Sequence, residues 1–170
     1  MLDVIALCLL LGAATVLVHQ EGLRAIARLG AVTELSHQRL QMLGVIFGIF
    51  ALHIVEIGLY SGAFALGADL LHLGRLVGDV DGTSLEYLYF SAETFTTVGF
   101  GDIVAEGPLR LLASFEPLNG LILLGWSASF TYIEVQRTWP AGTLGQAGGA
   151  ATIRPHAAAK SPALPRLGRY

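Results

Sequence analysis

In a chain of 170 residues, 54% of positions are hydrophobic, 14% are charged, and the mean hydropathy is +0.63. That balance is too apolar for a soluble domain of this size and places the chain in a membrane. A net charge of −3 gives no reason to expect a nucleic-acid partner, and a single cysteine, Cys8, excludes an intrachain disulfide; set in an apolar run, Cys8 reads as a small buried hydrophobe.

Residues 1–18 form the first candidate membrane helix, just long enough to cross a hydrocarbon core of roughly 30 Å at about 1.5 Å per residue. An export signal is the alternative, but Asp3 and no Lys or Arg precedes the apolar run, where a signal needs positive charge. Residues 19–41 carry Arg24, Arg28 and Arg39 and read as a cytoplasmic linker, either a helical extension or an amphipathic stretch lying on the surface. Residues 42–67 are a second span, interrupted only by His53 and Glu56. The glycine-rich stretch after it, with Asp69, Asp79 and Asp81, reads as an exposed loop. A short helix is predicted over 84–95, with Ser84 as cap and Glu86 in its first turn; it is too short to cross. Residues 108–135 are the third span, with Pro108 suited to the first helical turn. Residues 137–170, rich in Ala, Gly and Pro with basic residues and no acid, read as a disordered tail.

Basic loops stay on the cytoplasmic side. The arginines between the first two spans and the basic tail therefore face inward, and the acid-rich loop before residue 93 faces outward. The predicted fold is an all-α membrane protein with three spans and a re-entrant helix, its N-terminus outside and its C-terminus in the cytoplasm.

Between the short helix and the third span stands Thr96-Thr97-Val98-Gly99-Phe100-Gly101-Asp102. Moving a bare cation through lipid requires replacing its hydration shell with oxygens, and a ring of backbone carbonyls does so without a fixed charge in the path. For carbonyls to point one way at successive residues, the backbone must alternate between ordinary and left-handed conformations, which Gly99 and Gly101 accept cheaply. Thr97 adds a hydroxyl as the lowest oxygen ring. Non-helical backbone at membrane depth survives only when buried in protein or lining water, and one strand cannot encircle an ion, so the chain must assemble around an axis. The partly negative C-terminal end of the short helix, near Phe95, then points toward the cation path.

The run from Tyr89 to Asp102 resembles the pore helix and selectivity filter of the bacterial two-helix potassium channels, and the resemblance extends over residues 42–135. It implies a homotetrameric, K⁺-selective channel in the cytoplasmic membrane, with an added first helix. Its partners would be further copies of itself and membrane lipid, and it would need no cofactor beyond K⁺ as permeant ion. By resemblance, Thr97, Val98, Gly99 and Phe100 supply the K⁺ ligands, with Gly101 completing the filter and Thr96 supporting it. Glu93 and Asp102 match the acidic pair that braces the filter from behind by sharing a proton or a water. Two carboxylates so placed should not both ionise; a solvated charge at the outer mouth is the plainer reading of Asp102. Phe100 replaces the commoner tyrosine and has no hydroxyl to bond the pore helix. K⁺ selectivity is still implied, because family members with this filter exist.

Gly120 lies where the family's inner helix has a glycine hinge, although a glycine there equally permits close helix packing. Helical spacing from it puts Leu124, Ala128 and Tyr132 on one face, either the pore lining and inner constriction or a face against another helix or lipid. His53 and Glu56 share a face of the second span and Glu116 lies in the third, so this intramembrane polar cluster must face protein. It reads as a satisfied structural group or as a proton-sensitive contact between outer and inner helix; no third ligand suggests a metal. No regular arginine repeat predicts a voltage sensor, and no nucleophile and base pair or phosphate loop predicts an enzyme. A K⁺-uptake subunit is disfavoured because such chains link several pore repeats; a non-conducting scaffold would differ in passing no K⁺.

Overall fold

The computed structural model describes residues 1–32, 38–80 and 83–138. In chain order its elements are α1 (Leu2–Val32), α2 (Gln38–Ala65) continuing into one π-helical turn (Leu66–Leu70), β1 (Arg75–Gly78), α3 (Ser84–Phe95), β2 (Ile103–Glu106) and α4 (Leu109–Thr138). Three segments, Leu2–Gly30, Gln38–Leu70 and Leu109–Thr138, are long and apolar enough to cross a membrane. The chain is therefore an all-α, multi-pass membrane protein apart from one short β-ribbon.

The first helix does not stop at residue 18. Its buried positions, Val4, Cys8, Leu11, Thr15, His19 and Leu23, keep a spacing of three to four across that point, and the stripe packs against α2 and α4. Most of the stretch read as a linker is thus helix. At about 1.5 Å per residue, 31 residues span roughly 46 Å, more than the roughly 30 Å hydrocarbon core, so α1 extends beyond it. Arg24, near its C-terminal end, pairs with Glu21. The connection at 33–37 and the tail from residue 139 onward lie outside the described residues, while Arg137 and Thr138 belong to α4 rather than to the tail.

The loop after the second span is also more ordered than its composition suggests. β1 pairs antiparallel with β2 in a register of Arg75 with Glu106 and Gly78 with Ile103. Gly74 (φ +147) and Gly78 (φ +127) bring the ribbon so close that an added Cβ would lie 2.0 Å from the carbonyl oxygens of Glu106 and Asp102. Only glycine permits that approach. The N–H of Asp79 donates to the carbonyl of Asp102 at 3.1 Å, so the ribbon holds the exit of the stretch between α3 and β2.

In lipid, helices gain little from hydrophobic transfer and associate through close packing and interhelical hydrogen bonds. Both are present. Tyr60 and Phe64 of α2, Phe90 and Phe95 of α3, and Leu109, Leu112 and Leu123 of α4 form one core with the first turns of α1. Phe64 meets Phe90 edge-on at 5.0 Å between ring centres. Leu23, Val45, Ile49 and Leu52 form a second cluster between α1 and α2. The N-cap of α3 is Thr83 rather than Ser84, and the Glu86 carboxylate accepts the Thr83 N–H at 3.3 Å.

Candidate functional site

The segment following α3 is extended, and its left-handed residues alternate: φ is +63 at Thr97, +54 at Gly99 and +82 at Gly101. For Thr97 that conformation costs about 1–2 kcal/mol, because its Cβ crowds the following carbonyl. A single residue of α3 accounts for most of the retention. The main-chain oxygen of Glu93 accepts the N–H groups of Val98 (2.9 Å) and Gly99 (3.2 Å), and its carboxylate accepts that of Phe100 (2.9 Å). The Thr97 N–H donates to Thr94 O at 3.0 Å. In an ordinary strand successive N–H groups would alternate in direction; here four in a row turn back toward α3. Their carbonyls accept no hydrogen bond among the described residues, and residues 96–102 are exposed on the single chain. Across each trans peptide the carbonyl of the preceding residue lies opposite the N–H, so the oxygens of Thr96, Thr97, Val98 and Gly99 turn away from α3, and the row from Thr97 to Phe100 is unpaired.

Glu93 and Asp102 each hold a separate partner. The Glu93 side chain is buried and bonded to the Phe100 N–H. Asp102 accepts the Tyr89 hydroxyl at 2.9 Å and the Ile103 N–H at 3.1 Å. The hydrogen bond to the Asp102 carboxylate pushes the Tyr89 hydroxyl above its usual range. The Phe100 ring, lacking a hydroxyl, stacks on Tyr89 at 6.4 Å with the planes 10° apart, so the polar tie to α3 comes from Tyr89 instead. Thr96 closes α3, its hydroxyl donating to Ala92 O at 2.7 Å.

Gly120 sits against the C-terminal end of α3, where an added Cβ would lie 2.3 Å from the Phe95 carbonyl oxygen. This contact is what glycine permits at that position in the single chain. Leu124, Ala128 and Tyr132 are exposed on α4, while Leu112, Glu116, Asn119, Leu123 and Ser127 are buried.

The three intramembrane polar residues do not form one group. His53 Nδ1 lies 2.8 Å from Glu56 Oε2, and His19 Nδ1 lies 2.7 Å from Glu56 Oε1. Glu116 instead accepts the Ser91 hydroxyl at 2.6 Å, joining α4 to α3. A third network runs through Asn119, whose amide donates to Thr15 (2.7 Å) and Tyr60 (2.9 Å). The first helix is therefore more than a peripheral addition. Sequence reasoning missed His19 because it was assigned to a linker; its place on the stripe from Val4 to Leu23 is the signal that finds it.

Residues 63–137 match the family model described as an ion channel. Over 90 residues the chain is 29% identical to the inward rectifier potassium channel Kirbac3.1 of Paramagnetospirillum magnetotacticum, a match covering 52% of this chain and 29% of that protein. No solved structure matches. From the end of α2 to α4 the chain is thus similar to ion-channel proteins, a potassium channel among them, and it spans less than a third of that relative's length.

Proposed function

We propose that this multi-pass membrane protein is a K⁺-selective ion channel that works as a homotetramer in the cytoplasmic membrane, with its N-terminus outside and its C-terminus in the cytoplasm. The single observation that supports this reading most is the row of unpaired carbonyls from Thr97 to Phe100, held from behind by Glu93. Four such rows about an axis would replace the water around K⁺, with the Thr97 hydroxyl as the innermost ring. Unpaired carbonyls facing lipid would each cost several kcal/mol, roughly the penalty for any unsatisfied group in hydrocarbon, so they must face water, ions or other copies.

In this reading Gly101 completes the filter, and Thr96, Glu93 and Asp102 keep its shape. The exposed face of α4 at Leu124, Ala128 and Tyr132 lines the inner pore, and Gly120 fixes the inner helix beside the filter or lets it bend. The basic α1–α2 side faces the cytoplasm. No catalytic activity belongs to the proposal, and the chain's other contacts are with lipid. Flux into liposomes distinguishes the possibilities: wild type should admit K⁺ and exclude Na⁺, and Gly99→Ala should abolish K⁺ passage, because alanine resists the φ of +54 that Gly99 adopts. Equal Na⁺ and K⁺ flux, or undiminished K⁺ flux in the variant, would refute K⁺ selectivity through these carbonyls.

A further inference from the structure

The geometry points to a metal site inside the membrane region: His19 of α1 with His53 and Glu56 of α2 bind a divalent ion of the Zn²⁺ type, oriented by Ser127 of α4. One ligating atom from each of the three residues lies within 4.8 Å of the others. Two imidazole nitrogens and a carboxylate oxygen are the donor set that suits zinc, leaving a fourth position open to water. Both Nδ1 atoms face the Glu56 carboxylate, at 2.7 and 2.8 Å. A tetrahedral ion with bonds of about 2.1 Å needs ligand atoms about 3.4 Å apart, so the two histidine–carboxylate pairs must open by about 0.7 and 0.6 Å. That is within reach of small side-chain rotations.

Hydrogen counting favours an added cation. Both Nε2 atoms face Ser127 Oγ, at 3.4 Å for His19 and 3.1 Å for His53. Four polar contacts thus close a ring of Glu56, His19, Ser127 and His53. With neutral imidazoles and an ionised carboxylate, only three hydrogens are present: one per imidazole and one on the hydroxyl. Whatever the tautomers, at least one contact sets lone pair against lone pair, at a site where the His19 and Glu56 side chains are 0% exposed and unpaired polar atoms are costly. A metal ion removes the deficit. It replaces the hydrogens at both Nδ1–carboxylate contacts, and each Nε2–H then donates to Ser127 Oγ. A metal-bound histidine ordinarily donates its other ring N–H to just such an oxygen. His53, 12% exposed, is the edge through which an ion enters. An extra proton would also fill the deficit, and the experiment separates the two.

The purified full-length channel, stripped with a chelator, is titrated with Co²⁺ as the probe. We expect the intense visible absorption of four- or five-coordinate Co²⁺, one ion per chain, displaced by Zn²⁺. Ser127→Ala should keep that spectrum while weakening binding about 10–100-fold, as loss of an outer partner does. His53→Ala should abolish it, and His72→Ala, outside the cluster, should leave it unchanged. Should His53→Ala fail to assemble, Zn²⁺ added to wild type should still raise the melting temperature, and by less in Ser127→Ala. The proposal is overturned if Co²⁺ shows only the weak spectrum of the six-coordinate aquo ion, the result expected when a proton alone completes the ring. It is overturned equally if binding survives His53→Ala unchanged or disappears in His72→Ala.

Discussion

Replacing Gly120 by alanine tests whether the inner helix is locked to the filter. The new Cβ would lie 2.3 Å from the Phe95 carbonyl oxygen, and ordinary contact begins near 3.4 Å, so the two backbones must separate by the difference, 1.1 Å. The obstructing atom is main chain at the end of α3, so no side-chain rotation relieves it. Overpacking of this kind costs about 1–3 kcal/mol, and the backbone contact puts Gly120→Ala toward the upper end. The better helix propensity of alanine returns about 1 kcal/mol at most, leaving a net loss near 2 kcal/mol per chain. In the proposed tetramer that loss recurs in every copy, and the displaced α3 carries Glu93 and its grip on the filter. Heating the purified oligomer and following its dissociation to single chains, with K⁺ and Na⁺ flux measured in parallel, should show earlier dissociation and weaker selectivity. Gly58→Ala, where an added Cβ meets nothing within 4 Å, is the control and should behave as wild type. If Gly120→Ala dissociates at the wild-type temperature and keeps its selectivity while only its open probability changes, the packing argument fails and bending at Gly120 takes its place.

Two other substitutions probe the filter's support. Glu93→Ala removes the acceptor of the Phe100 N–H in a buried setting and should cost about 1–3 kcal/mol of oligomer stability along with K⁺ selectivity, whereas Glu93→Gln retains a carbonyl acceptor and should lose much less; equal losses in thermal dissociation would show that the bond is not what holds the strand. The Tyr89 hydroxyl, raised above its ordinary 10.0 by its bond to Asp102, is neutral in folded and unfolded chains below that value, so its contribution is complete there and is lost as pH rises through the raised folded value. K⁺ selectivity of wild type should therefore hold to about pH 10 and fall above it, while Tyr89→Phe should begin lower and lack that alkaline fall; identical alkaline profiles would remove the hydrogen bond from the account.

The parts legible in the sequence are those whose chemistry is local. A run of seven residues states its own backbone requirement, because glycine at alternate positions means left-handed conformations, and a short helix before it can satisfy N–H groups only a few residues away. Thr97 adopts φ +63 without being glycine, which the sequence does not announce; the bonds from Thr97, Val98 and Gly99 back to α3 impose it. What stayed hidden depends on distant partners. The β-ribbon pairs residues 31 apart in sequence at Arg75 and Glu106, and nothing in a glycine-rich acidic loop names its partner strand. Glu116 and Glu56, each alone a costly intramembrane acid, invited assignment to one cluster, yet their partners are separate: two histidines hold both oxygens of Glu56, while Ser91 holds one oxygen of Glu116 and the other is buried without a partner among the described residues. His19 settles what the first helix contributes. A helix added only to fill space would present apolar residues to α2 and α4, whereas α1 presents Thr15 and His19, both fully buried and both hydrogen-bonded across helices. Removing α1 would therefore leave Glu56 without its His19 partner and Asn119 without Thr15 at membrane depth, and the cost of such unpaired groups ties the added helix to the two that bracket the filter.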